Sequence, residues 1–401
     1  MISSCFNSED MIGPLEGVKV LDLTRHPPGD FCTMMLADYG AEVLKVEDLE
    51  GGDTTRWSLP KGKKFAASFL ALNRNKKSMK LNLKEKEGRE IFIKLAHDYQ
   101  VIVEGFRPGV TKRLGIDFES IKEINPSIIY CSLTGFGQEG PYKGKVGHDI
   151  NIVGMGGILE ISGKKDGPPM IPGVQIADLN GALMSIIGIL MSIISSRKTG
   201  RGQYIDISML DGIIFWLAMI VSKYSMDKRL PGRETILLNG KHLCYRVYRT
   251  MDDKYITIGA IEKKFWVNFC KAIGRDDLIE HQFTDINQRN DLLEDVERIF
   301  LTKTLKEWLT CFDGLEVCHG PVNNLQEVFS DPHVLFRNML IKAEHPIEGE
   351  YSCVGFPIKM SDGQPKFRLH APDYGENTEQ ILKSIGYEEA QICEFKSRGI
   401  I

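Results

Sequence analysis

Three residues in this sequence carry side chains suited to proton or acyl transfer. His148 lies in "GHDIN" (147–151), Asp178 in "IADLNG" (176–181), and Glu262 in "IGAIEKKFW" (258–266). Each also has an ordinary reading. His148 can be a satisfied structural histidine. Asp178 can be the N-cap of the apolar helix that follows it. Glu262 can be a solvated glutamate ahead of two lysines. The chemical reading rests on geometry. A helix start favours negative charge, so a carboxylate there stays ionised, and its backbone N–H groups can hold an oxyanion. The glycine-rich surroundings of His148, "GHDINIVGMGG", let a substrate approach the backbone closely. A base, a second base or nucleophile, and a carboxylate to polarise the base are the parts of general acid–base or covalent catalysis.

The elements that must position these residues follow from hydrophobic pattern. "GVKVLDLT" (17–24) reads as a strand, "PPGDFCTMMLADYGA" as a helix with proline at its start, and "EVLKVE" (42–47) as a second strand. This is a β–α–β unit, hence a parallel pair with a right-handed crossover. "SMKLNL", "EKEGREIFIKLAHDY", "QVIVEGF", "FESIKEIN" and "SIIYCSLTGFG" continue the alternation, so residues 14 to about 137 form an open α/β sheet. A long helix is expected over 178–197, and "QYIDISML" (203–210) is another strand. "YRVYRTMDDKYITIGAI" reads as a hairpin turning at "MDDK". The expected organisation is a large α/β domain over 1–224, with a connection near 200–235. A small α+β domain follows over 225–328, and 329–401 returns to the large domain.

Open α/β sheets bind ligands at the carboxyl ends of their strands. The first β–α turn, "TRHPPGD", is not GxGxxG, and no Walker A sequence occurs, which disfavours an NAD or ATP enzyme. Arg107 and Arg113 in "EGFRPGVTKRLG" (104–115) follow a strand, where two guanidinium forks suit phosphate recognition. Surface arginines solvating a helix start are the alternative. The basic run "NRNKKSMK" (73–80) is a second candidate holder of a small polyanion.

Composition bounds the function class. Net charge is −4, with 42% hydrophobic and 26% charged residues, an ordinary globular balance with no basic field for nucleic acid or an anionic membrane. The nine cysteines include no CxxC and no zinc-like Cys–His spacing, so free thiols in a reducing compartment and no metal site are expected. "MISSCFNSED" has no signal-peptide core. The apolar stretch "ALMSIIGILMSII" (182–194) falls short of the roughly 20 residues of a spanning helix. A buried helix and a cytoplasmic protein with no membrane partner are the expectation.

Beyond single motifs, the chain resembles the family III CoA-transferase superfamily (CaiB/BaiF type), and within it the alpha-methylacyl-CoA racemase branch. The likeness runs from "PLEGVKVLDLTRHPPGDFCTMMLADYGAEVLKVE" through "EGFRPGVTKRLG", "NPSIIYCSLTGFGQEGP", "GHDIN", "ADLNGALMSIIGIL" and "RKTGRGQYIDISMLDG" to the "DYGENTEQIL" tail. The resemblance implies a Rossmann-like large domain assembled from N- and C-terminal parts, a smaller α+β domain, and an interlocked homodimer in which the partner's Glu262 completes the site. It implies CoA contacts at Leu81, Asn82, Leu83, Lys84, Gly105, Phe106, Arg107 and Arg113, an acyl-CoA substrate, and no cofactor beyond its CoA moiety. In the racemase branch His148, polarised by Glu262, and Asp178 are the two bases of a 1,1-proton transfer at the α-carbon of a 2-methylacyl-CoA-like thioester. Helix-start N–H groups near Asp178 then hold the enolate oxygen. In the transferase branch Asp178 is a nucleophile that passes through an anhydride and an aspartyl thioester. A non-catalytic CoA-binding protein is a third possibility, against which the intact His–Asp–Glu set argues. Two features depart from the racemase pattern. Asp48 stands where racemases tend to have an arginine, and Lys241 and His242 replace a small glycine pair, which could narrow or recharge the acyl pocket. Proton transfer is the expected activity and CoA transfer the alternative.

Overall fold

A computed structural model describes residues 13–401. The leaderless reading of Met1–Asp10, and Cys5 within it, lie outside the described residues. The chain divides into two compact units. The first comprises the chain up to Val153, Val174–Phe215 and His333–Ile401. The second comprises Gly154–Gly173 and Trp216–Pro332. The boundaries read from the sequence, 224/225 and 328/329, fall inside the helices Ala218–Asp227 and Leu325–Ser330.

The first unit is built on a six-stranded sheet in the order β3-β2-β1-β4-β5-β6, formed by β1 (Lys19–Leu23), β2 (Glu42–Glu47), β3 (Lys76–Lys80), β4 (Val101–Glu104), β5 (Ile129–Thr134) and β6 (Gln203–Ser208). Every neighbouring pair is parallel. This is the Rossmann strand order, with its reversal between β1 and β4. Side chains alternate between faces along each strand and both faces of the parallel sheet are covered; β4 and β5 are mostly apolar, whereas β1, β2 and β3 also bury the charged Asp22, Lys45 and Lys76. On one face Leu21, Leu44, Met79 and Ile102 pack with Ile91, Phe92 and Leu95 of the helix Lys86–Asp98. The returning C-terminal segment fills the rest of that face through Leu382, Ile392, Phe395 and Ile400. On the other face Val20, Val43, Val101 and Cys131 pack with the helices Pro27–Asp38 and Ile176–Thr199.

The helix Ile176–Thr199, expected to be buried, buries only one face. Ala182, Ile186, Ile189 and Ile193 sit on the sheet, while Leu183, Ile187, Met191 and Ile194 are exposed. By length and composition it is long enough and apolar enough to cross a membrane. In the second unit β7 (Tyr245–Arg249) and β8 (Tyr255–Gly259) form the expected antiparallel hairpin, joined by β9 (His319–Pro321). Its core is aromatic: Trp266, Phe269, Phe300, Trp308 and Phe312 are all fully buried. The eight cysteines among the described residues are free thiols.

The sequence places the third strand at "SMKLNL", but β3 starts two residues earlier, at Lys76, because that lysine's charge is neutralised inside the protein. The Lys76 ammonium is fully buried, 3.2 Å from Asp22 and 2.8 Å from the Asn73 side-chain oxygen. The Lys45 ammonium, also fully buried, lies 2.6 Å from both Asp30 and Asp53 and 3.5 Å from Asp22. Burial alone would raise the Asp22 pKa, but Lys45, Lys76 and the hydroxyls of Thr24 and Thr33 hold it below the ordinary carboxylate value. These contacts remove two cations of "NRNKKSMK" from any polyanion site. Lys76 is used by this network, and Arg74 donates to Asp38 at 2.8 Å with both side chains almost fully buried. Removing one partner from a buried ionic network leaves uncompensated charge, at a cost of about 3–5 kcal/mol. Lys45→Met is therefore expected to lower the unfolding free energy by about that amount, measured by urea denaturation at neutral pH.

Candidate active site

The carboxyl ends of β1, β4 and β5 open into a cavity of about 450 Å³ at the point where the strand order reverses. Three segments supply most of its wall: Thr24–Gly29 after β1, Gly105–Pro108 after β4, and Leu133–Gly137 at the end of β5 and just beyond it. Lys143–His148, Asn151 and Asp178 close it.

The first loop is held from below by the buried ionic network. Asp22 at the end of β1 accepts hydrogen bonds from the Thr24 amide (2.9 Å) and hydroxyl (2.5 Å), and from the Thr33 hydroxyl (2.6 Å). Lys45 donates to the Thr24 carbonyl at 3.0 Å. Gly29 permits this packing, since a Cβ there would lie 2.2 Å from Thr24 Cβ. Asp48, where an arginine was the racemase expectation, pairs with Arg25 at 2.6 Å and accepts the Glu50 and Gly52 amides. It thereby anchors one of the cavity's cations.

Asp178 is in the first turn of the helix Ile176–Thr199 but does not cap it. The capping carboxylate is Asp149, whose Oδ1 accepts the amides of Ala177 (2.6 Å) and Asp178 (3.1 Å). Two conclusions follow. The Asp178 carboxylate makes no cap bond and lines the cavity. Two of the helix-start N–H groups near Asp178, those of Ala177 and Asp178, are engaged by Asp149. Burial pushes the Asp178 carboxyl up, the Asp149 carboxylate adds to this and His148 opposes it, with a net position at about 6.

His148 also lines the cavity, at the start of the helix Asp149–Met155. Its amide donates to the Asn151 side chain at 3.0 Å and its carbonyl accepts the Asn151 amide, which fixes the backbone and leaves the imidazole on the wall. The structure therefore brings His148 and Asp178 together. Glu262 belongs to the second unit, where it is exposed and precedes the helix Lys263–Ala272 without capping it. Lys241 and His242 line a separate cavity of about 620 Å³ within that unit. There Lys241 pairs with Asp285 at 3.6 Å, and the His242 Nδ1 lies 3.1 Å from the Thr284 carbonyl.

Of the expected CoA contacts, Gly105, Phe106 and Arg107 line the first cavity and Arg113 does not. Arg107 and Arg113 are exposed, with no carboxylate partner among the described residues. Leu81, Asn82, Leu83 and Lys84 follow β3 at the sheet's edge, outside the cavity wall. Leu81 is core, Asn82 donates from its amide to the Ile400 carbonyl and from its side chain to the Gly399 carbonyl of the C-terminal tail, and Lys84 pairs with Glu50 at 2.5 Å. The loop Gly105–Pro108 is set by Glu104, which accepts the Phe106 amide at 2.7 Å. Burial pushes the Glu104 carboxyl up to about 7. Sequence reasoning missed Asp149, His26, Lys143 and Lys145. "TRHPPGD" contains His26 and "PYKGKVGHD" the other three, but nothing local ties them to Asp178.

The sequence profile of CoA-transferase family III matches residues 15–378, and the chain belongs to that family. It is 35% identical over 397 residues to human succinyl-CoA:glutarate CoA-transferase, covering 97% of this chain and 90% of that one. It is 32% identical over 397 residues to succinyl-CoA:mesaconate CoA-transferase of Haloarcula marismortui, covering 94% and 98%. A crystal structure of a CAIB/BAIF family protein from Brucella suis superposes with a TM-score of 0.83 at 31% identity, covering 93% of this chain and 99% of that one.

If Asp149 raises the Asp178 titration through its charge, Asp149→Asn lowers it. The expected outcome is an Asp178 carboxyl midpoint near pH 6 in the parent and a clearly lower midpoint in the variant, read by carboxyl-carbon NMR.

Proposed function

We propose that this protein transfers CoA from an acyl-CoA to a free carboxylate, with Asp178 as the nucleophile. The observation that carries the reading is the Asp178 carboxylate, partly buried on the cavity wall with its own helix start capped by another residue. It supplies a carboxylate free to attack a thioester carbonyl. Family membership supports transfer, and both relatives above bear CoA-transferase names. Proton transfer, the activity expected from the His148–Asp178–Glu262 set, lacks that support. Two of the helix-start N–H groups that it could use for an enolate oxygen, those of Ala177 and Asp178, are also taken by Asp149.

The steps balance without an added reagent. The Asp178 carboxylate attacks the acyl-CoA carbonyl, forming a mixed anhydride and releasing CoA as thiolate. The thiolate attacks the aspartyl carbonyl of the anhydride, giving an aspartyl–CoA thioester and the first carboxylate. The acceptor carboxylate attacks that thioester, re-forming an anhydride and the thiolate. The thiolate then attacks the new acyl carbon, which releases the new acyl-CoA and restores Asp178. His148 acts by position: its proximity favours the ionised, nucleophilic form of Asp178. Arg107, Lys143 and Lys145 give the wall cations for CoA phosphate or substrate carboxylate. The names of the two relatives point to dicarboxylates as acyl group and acceptor. An interlocked dimer is part of the same reading, and the exposed apolar stripe of the helix Ile176–Thr199 offers a surface for it.

Incubation with succinyl-CoA and glutarate is expected to yield glutaryl-CoA, and rapid quenching a CoA adduct on the Asp178 peptide, seen by mass spectrometry. Asp178→Asn should reduce turnover by about 10³-fold or more. Rapid α-deuteration of a 2-methylacyl-CoA in heavy water, with no transfer to any dicarboxylate, overturns the reading. The nucleophile works only as carboxylate, so kcat/KM is expected to rise with pH through about 6 and level off above it.

A further inference from the structure

His26 in the first β–α loop has an assignable tautomer. Its Nδ1 lies 3.0 Å from the Thr54 hydroxyl oxygen. That hydroxyl donates its single proton to the Arg25 carbonyl at 2.6 Å, a separation at which two oxygens without a proton between them would repel. The Thr54 oxygen can therefore only accept from His26, so Nδ1 carries the hydrogen. Nε2 is then a lone-pair acceptor, and it has no partner among the described residues. The ring does not cap the helix Pro27–Asp38 that His26 precedes, although the backbone is extended there. It lines the cavity instead. Burial pushes its imidazole pKa down, with Arg25, His148 and Lys45 acting in the same direction and Asp53 opposing. The neutral ring is the favoured form.

An acceptor is out of character with this wall. Arg107, Lys143 and Lys145 offer donors for anions, and Asp178 is committed to attack in the reading above. CoA carries anionic phosphates at one end, whereas its pantetheine arm carries amide N–H and hydroxyl donors next to the sulfur. We propose that His26 is a CoA-binding residue whose Nε2 accepts a hydrogen bond from the pantetheine arm, holding the thioester end in the cavity. This rests on the CoA-transfer reading. Thr54, through Nδ1, is the positioning residue for the ring.

The test is calorimetric titration of the full chain with CoA and with adenosine 3′,5′-bisphosphate, which lacks the pantetheine arm. His26→Asn retains a donor at the δ position for Thr54 and removes the ε acceptor. His26→Gln places an amide oxygen near the ε position. One lost neutral hydrogen bond corresponds to roughly three- to tenfold in affinity. The expected result is CoA binding weakened by that factor in His26→Asn and partly restored in His26→Gln, with adenosine bisphosphate binding unchanged in both. Unchanged CoA affinity in His26→Asn, or equal weakening of both ligands, overturns the assignment while leaving CoA transfer standing. Failure of the parent protein to bind CoA at all overturns the CoA-transfer reading, and this inference with it.

Discussion

Two lysines and three aspartates lie beneath the first β–α loop with almost no access to water: Lys45 and Lys76 against Asp22, Asp30 and Asp53. Taking such charges out of water is costly, and only near-complete mutual pairing offsets it. The carboxylates are distributed over β1, the helix Pro27–Asp38 and the segment just before Thr54, while the lysines come from β2 and β3. The network thus ties three neighbouring strands, one helix and one loop to a common set of distances. Its direct product is the shape of Thr24–Gly29, since Asp22 holds Thr24 from below and Lys45 holds its carbonyl. That loop is one wall of the cavity and carries His26 and Arg25 into it.

A second long-range contact does the corresponding work on the other wall. The GHDIN segment contributes Asp149 to the start of a helix twenty-seven residues further on, where it satisfies two N–H groups that would otherwise need Asp178 or water. Capping from outside releases the first-turn aspartate for chemistry. The same carboxylate adds to burial in raising the Asp178 pKa, so Asp178 is more basic than a solvated aspartate. A single residue therefore leaves the Asp178 carboxylate uncommitted to the cap and adds to the effect of burial on its pKa.

The cavity combines a Rossmann strand order with a first β–α turn that lacks the glycine fingerprint. The site lies at the switch point between β1 and β4, where the fold leaves a crevice whatever the loop sequence. In place of a glycine-rich turn, "TRHPPGD" is stiffened by two prolines and held by buried charge. Positive charge comes from separate side chains on three loops.

Much of the scaffold was legible in the sequence because it follows from local pattern. Branched-residue runs became strands, the β–α alternation became a parallel sheet, and "MDDK" became a hairpin turn. His148, Asp178, Gly105, Phe106 and Arg107 were candidate site residues in the sequence and line one cavity. Other features depended on partners distant in the chain. The basic run at 73–80 looked like an anion site, but which lysine is solvated depends on carboxylates up to 54 residues away. Asp178 looked like a cap or a base, and only Asp149 decides that it is neither capping nor short of a neighbour. His26 looked like a loop residue, and only Thr54 fixes which of its nitrogens is free. Local sequence determines the elements because periodic burial is read along the chain. The fold alone determines charge state, tautomer and hydrogen-bond availability, because these depend on which groups are brought within about 3 Å of one another.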